Sequence, residues 1–328
     1  MTRTTPPRPV DIAALFPEIV PFARTATRLH PRPGTPGVHD SSVGGPLRWP
    51  ADEPWPVCTE PHDDSAGYLR SVDAERRRRK IYAARPAGAD FTPEQRAELA
   101  RLGELDAKAD KADPAPPAAM MAVAQLYLKD VPGLAGPPGA DVLQVLWCPR
   151  DHLPDYCPAP MLRWRRSSDV TDVVAEQPEP EAMLEDMYLP EPCVLHPEQV
   201  VEYPYHDFLP DGLQERISAW EETNRPSYQY ELSLAPGWKV GGHASWSLGG
   251  AKPPTCDDCG AAMDMLLSID SGEWNDECGP DGEGSWCPLE DAGSREYDPT
   301  KVQIGRGYAL YVFTCPTSFD HPLKTVQQ

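Results

Sequence analysis

The sequence of 328 residues predicts an α+β fold, internally duplicated, with mostly antiparallel sheets, a helical insertion and a Cys/His cluster closing each half. Three observations predict it. An ordered set of landmarks occurs twice, short apolar runs bounded by polar or proline-containing stretches recur, and the cysteines fall at matching places in the two halves. Hydrophobic residues make up 40% and charged residues 25%, a globular balance, and 41 prolines favour loops and short strands over long helices.

The landmarks run in one order. Ser42-Val43 leads into Gly44-Gly45, with three residues between the pair and Trp49; Lys239-Val240 leads into Gly241-Gly242, again with three residues before Trp246. A cysteine follows each pair, Cys58 in the first half and Cys256 in the second, 14 and 15 residues beyond the first glycine. Next come Met121 to Leu128 and Met263 to Asp270, which read as buried strands. Each half then has a β-rich run ending in Cys-Pro: Val142 to Pro149 and Leu310 to Pro316.

The insertions differ. A charged helical arm occupies 65–118, where Thr92 caps, Pro93 suits the first helical position and Gln95 completes a capping box, with Leu99, Leu102 and Leu105 forming a thin apolar stripe. The run Arg76 to Lys80 reads as the solvated face of a helix. An acidic linker spans 177–191, and a packing helix runs from Asp211 to about Thr223 through Leu213, Ile217 and Trp220. The division is therefore a first repeat over 1–165, a linker and helix over 166–230, and a second repeat over 231–328. The second insertion, Ser271 to about Thr300, is rich in Gly, Asp and Glu; Asp270, Glu273, Asp276 and Glu277 beside Trp274 read as a solvated loop, with binding of a cation or a basic ligand as the alternative.

The nine cysteines, in a chain whose first ten residues show no apolar leader, point to thiols or metal ligands in a cytoplasmic protein rather than to a disulfide framework. Zinc takes four ligands in a tetrahedron, two of them commonly on one tight turn. Cys256-Asp257-Asp258-Cys259-Gly260 is such a turn; Cys315 is the third expected ligand and His321 the fourth, with Cys278 and Cys287 as competitors. The first half offers Cys58 with His62 and Cys148 with His152, each pair separated by three residues, and Cys157 able to replace one ligand. Cys193 has no partner nearby in sequence and reads as a buried thiol. Four protein ligands leave no position for water, so the expectation is two structural zinc ions and no catalytic residue.

A net charge of −21 disfavours nucleic acid, whose binding relies on Lys and Arg displacing counterions, and no apolar run reaches the length of a membrane-spanning helix. No nucleophile elbow, His-Glu-x-x-His or Walker sequence is present.

The two Gly-Gly elements with Trp49-Pro50 and Trp246, the run Leu143 to Pro149, and Cys256 to Gly260 together resemble the YwqG-like proteins, a bacterial domain family of unknown function. The resemblance extends from about Leu29 to His321 and implies a duplicated α+β fold with mostly antiparallel sheets. It brings no reaction and no catalytic residues, and it implies that zinc is the feature of a subgroup. The expected function is a zinc-stabilised interaction module for a protein partner, with a basic protein as the natural match. The alternatives are a metal-dependent enzyme with an open zinc site and a structural component of a larger assembly.

Overall fold

The computed structural model describes residues 2–62, 67–86, 88–111, 117–154, 156–184, 187–247, 250, 252–274, 286–294 and 296–328. Its strands, in chain order, are β1 Arg24–Arg28, β2 Arg32–Pro33, β3 Ser42–Val43, β4 Val57–Cys58, β5 Leu69–Ser71, β6 Ala118–Ala119, β7 Met121–Tyr127 and β8 Val142–His152. They continue as β9 Cys157–Arg165, β10 Ala182–Leu184, β11 Cys193–Val194, β12 Glu198–Glu202, β13 Lys239–Gly241, β14 Asp264–Asp270, β15 Ala309–Thr314 and β16 Lys324–Gln327. The α-helices are α1 Ile12–Leu15, α2 Val72–Ala83, α3 Pro93–Ala109 and α4 Asp211–Glu221.

Two six-stranded sheets form the frame, in the orders β2-β11-β3-β7-β8-β9 and β12-β1-β13-β14-β15-β16. Their ladders are antiparallel. The class is α+β. Strand pairing interleaves the chain: β1, from near the N-terminus, lies between β12 and β13, while β11 joins β2 to β3.

Alternation along the strands decides what lies between the sheets and what lies outside, because successive side chains of a strand point to opposite faces. On β8, Leu143, Val145 and Trp147 enter one shared core; on β15, Leu310 and Val312 enter the same core. That core also takes Leu126 of β7, Val240 of β13 and Leu267 of β14, so both sheets bury their inner faces together. The other parity serves two smaller clusters. Leu146 and Cys148 pack with Leu47, Trp49 and Cys58 on the first sheet. Ala309, Tyr311, Phe313 and Cys315 pack with Trp246, Cys256 and Met265 on the second.

The helical arm forms as its sequence requires. Thr92 and Gln95 make the reciprocal capping box of α3, with Pro93 in its first turn, and Leu102 is buried. Four residues of the basic run, Arg76 to Arg79, are partly buried and ion-paired, while Lys80 is exposed. On α2, Arg76 pairs with Glu179, Arg77 with Glu98, Arg78 with Glu75 and Asp106, and Arg79 with Glu191 at 3.0 Å. Acidic residues of α3 and of the 177–191 segment attract it, so charge patterning that looked like solvent exposure is an interface. Within that segment β10 pairs with β5 and buries Met183.

Both glycine pairs are structural. Gly44 has φ +64°, and a Cβ there would lie 2.5 Å from the Glu191 carbonyl oxygen. Gly242 has φ +74°, with a Cβ placed 2.3 Å from Glu202 Oε2 and 2.6 Å from the Ala26 side chain. Glu202 needs that closeness: its buried carboxylate accepts from Lys239 Nζ at 2.6 Å, from Ala235 N at 2.9 Å and from His243 N at 2.9 Å.

Candidate metal centres

The first cluster gathers Cys58, His62, Cys148 and His152, one ligand atom from each lying within 4.8 Å of all the others. Cys58 ends β4, which is held by pairing with Ala118 of β6, and His62 lies in the loop that follows. Cys148 and His152 share β8. Four residues apart on a regular strand they would stand about 13 Å apart. The β8–β9 register shifts between them, from Cys148 opposite Ala159 to His152 opposite Cys157, and this irregularity brings both side chains to one point. Cys148 Sγ lies 3.2 Å from His62 Nε2, and Cys58 Sγ lies 3.9 Å from His152 Nε2. The two imidazoles meet edge to face with centroids 4.9 Å apart.

The second cluster gathers Cys256, Cys259, Cys315 and His321 under the same 4.8 Å limit. Thr255 and Ala262 form an isolated antiparallel bridge; inside it Cys256 N donates to the Ala261 carbonyl at 2.9 Å and Gly260 N to the Cys256 carbonyl at 2.8 Å. Gly260 takes φ +71°, which lets the turn close. Cys315 follows β15 directly and continues its outward-facing parity; His321 lies in the loop to β16. Cys259 Sγ is 3.5 Å from Cys315 Sγ, and His321 Nδ1 is 3.4 Å from Cys256 Sγ and 3.3 Å from Cys315 Sγ.

These spacings suit a tetrahedral ion. Zinc–sulfur bonds of about 2.3 Å and zinc–nitrogen bonds of about 2.0 Å at tetrahedral angles give donor–donor edges of about 3.3–3.8 Å. Both clusters could hold a metal ion. They differ in exposure: Cys58, Cys148 and His152 are buried, whereas Cys259 is exposed and His321 half-buried.

The local electrostatics differ as well. Burial, with the charge of Arg150 and the neighbouring His152, pushes His62 down to about 4. Burial lowers His152 too, and both shifts favour the neutral imidazole that ligates metal. Burial pushes the Cys148 thiol up, and the adjacent Cys58 adds to the effect. In the second cluster the Thr317 hydroxyl, 3.0 Å from Cys315 Sγ and 3.4 Å from Cys259 Sγ, lowers both thiols, Cys315 to about 5. Its hydrogen bond with Cys315 raises His321.

Residues beyond the eight donors were not evident from spacing. Thr317 sits between two expected ligands, and a hydroxyl two residues after a cysteine is its only signal. Glu60, with Oε2 3.6 Å from His152 Nδ1, stands where a carboxylate orients a ligating imidazole. Cys157 is buried opposite His152 in the β ladder and is not among the four clustered donors. Cys193 is buried, as read from the sequence. Cys287 is disulfide-bonded, which removes it as a competing ligand and departs from the expectation of thiols and metal ligands alone; Cys278 lies outside the described residues.

Of the acidic set, Asp276 and Glu277 lie outside the described residues, while Glu273 is buried rather than solvated. Its Oε1 lies 2.5 Å from His30 Nδ1, and His30 Nε2 lies 3.1 Å from Glu198 Oε2. Arg28, also buried, donates to the Glu273 and Trp286 carbonyls. The N-terminal Thr5 seals the network by donating its N–H and hydroxyl to Glu198.

Among the described residues no helix is long and apolar enough to cross a membrane. No family model matches the chain, and no curated protein matches it.

Proposed function

We propose that both clusters hold zinc as structural centres and that the chain is a non-catalytic, zinc-stabilised interaction module for a basic protein partner. The carrying observation is that each cluster gathers four protein donors within 4.8 Å of one another, with donor–donor distances of 3.2 and 3.9 Å in the first and 3.3–3.5 Å in the second, near the edges of a zinc tetrahedron. A filled tetrahedron leaves no site for an activated water, and each centre then ties loop to sheet: β4 to β8 in one case, the 256–260 turn to the end of β15 in the other. The net charge of −21 supports a basic partner and disfavours nucleic acid. The free thiols of both clusters fit a cytoplasmic setting, while the disulfide at Cys287 counts against it.

We also propose that the two halves arose by duplication, within the YwqG-like family. The order β3-β7-β8-β9 in one sheet is matched by β13-β14-β15-β16 in the other. Each outer face carries a tryptophan and two cysteines in one apolar cluster: Trp49, Cys58 and Cys148, then Trp246, Cys256 and Cys315.

X-ray absorption at the zinc edge tests the closed coordination. The expected shell is four sulfur and nitrogen scatterers with zinc–sulfur distances of about 2.3 Å. A fitted oxygen from water, with only three protein ligands, would contradict a structural role and favour an open, catalytic metal.

A further inference from the structure

A cleft of about 1120 Å³ lies away from both clusters, and none of the eight Cys and His donors lines it. It is of the size that takes a ligand as large as a nucleotide. Arg76, Arg79 and Lys80 of α2 line it; their spacing of three and four residues puts them on one helix face. Lys301 and Arg306 contribute from the segment before β15. Basic residues outnumber acidic ones in this lining, whereas the chain as a whole has 51 acidic residues against 30 basic.

The acids of the cleft are already engaged. Glu191 holds Arg79 at 3.0 Å, and Lys301 is held by Glu296 at 3.2 Å and Asp298 at 3.0 Å. Asp270 accepts the Gly237 N–H at 3.0 Å and the Gly272 N–H at 3.2 Å. Arg76 is satisfied by Glu179. Lys80 and Arg306 remain, exposed and with no ion pair among the described residues. Two aromatic rings stand in or beside the same opening: Tyr82, 49% exposed, and Tyr297, 52% exposed. Two uncommitted cations and two accessible rings suit one class of ligand, an anion joined to a planar group.

We propose that this cleft binds an organic phosphate of nucleotide size, its phosphate received by Lys80 and Arg306 and its planar group by Tyr82 and Tyr297. The proposal is independent of zinc, since it uses no metal-ligating residue. It is also independent of a basic protein partner, which would meet the acidic surface elsewhere.

Titration calorimetry of the full, metal-loaded chain with ATP tests it, with inorganic pyrophosphate as the probe lacking a planar group. Saturable ATP binding with a Kd below about 1 mM is expected, at least about tenfold tighter than pyrophosphate. Lys80→Ala and Arg306→Ala should each weaken ATP at least about tenfold, and Lys252→Ala, a lysine outside the cleft, should leave it unchanged. Both substitutions are at exposed positions, and an unchanged circular dichroism spectrum confirms folding. Absence of saturation, equal affinity for pyrophosphate, or ATP affinity indifferent to both cleft substitutions would overturn the proposal.

Discussion

Glu198 is the residue whose environment makes the clearest demand on solution behaviour. Burial alone would push its carboxyl up; the hydrogen bonds from His30 and from Thr5 outweigh that and hold it at about 2, against an ordinary 4.5. A carboxyl depressed in the folded state stabilises fully above its unfolded pKa and loses that contribution as pH falls through the folded one. The window is therefore from about pH 4.5 down to about pH 2. Glu198→Gln should flatten the dependence of stability on pH in that window, measured by urea denaturation at stepped pH. An identical slope in wild type and variant would mean that Glu198 is not held as the structure shows. None of this was visible in the sequence. His30, Glu198 and Glu273 are far apart along the chain and carry no spacing signature; the β1–β12 pairing brings Glu198 beside His30, and the β1-β13-β14 order brings in Glu273 from the end of β14.

At the scale of elements, the sequence disclosed what local chemistry determines. The capping box of α3, the apolar runs that became β7, β8, β14 and β15, and the turn around Cys256 are each settled by a few adjacent residues. What it left open depends on contacts across the fold. The arginines of α2 looked solvated because their acidic partners lie on α3 and in the 177–191 segment. The register shift that lets Cys148 and His152 meet has one mark between them, Pro149, which cannot donate to the ladder, but where the shift carries the two side chains depends on β9. The glycine pairs were legible as turns, but their need for glycine comes from Glu191 and Glu202 pressing on them. Gly242→Ala should accordingly lower stability by at least about 2 kcal/mol, through a positive φ and a clash with a buried carboxylate. Gly103→Ala, on α3 with open space around the added carbon, should be neutral or stabilising by up to about 1 kcal/mol. Chemical denaturation compares the two; equal effects would remove the steric explanation.

At the scale of the molecule, two sheets share one core and each carries on its outer face a small apolar cluster with a tryptophan and two cysteines. The alternation of β8 and β15 explains why: the residues that build the common core are those of one parity, and Cys148 and Cys315 fall on the other. A metal at each cluster would fasten the loops that flank the sheets, in a chain whose elements are mostly short strands. Metal content tests those two centres directly. Elemental analysis with native mass spectrometry on protein purified without chelators should find two zinc ions per chain. Cys58→Ser and Cys256→Ser should each lower that number to one, because the two clusters share no donor. A chain that carries no zinc and takes up none when it is supplied, or one whose content is indifferent to both substitutions, would contradict the account.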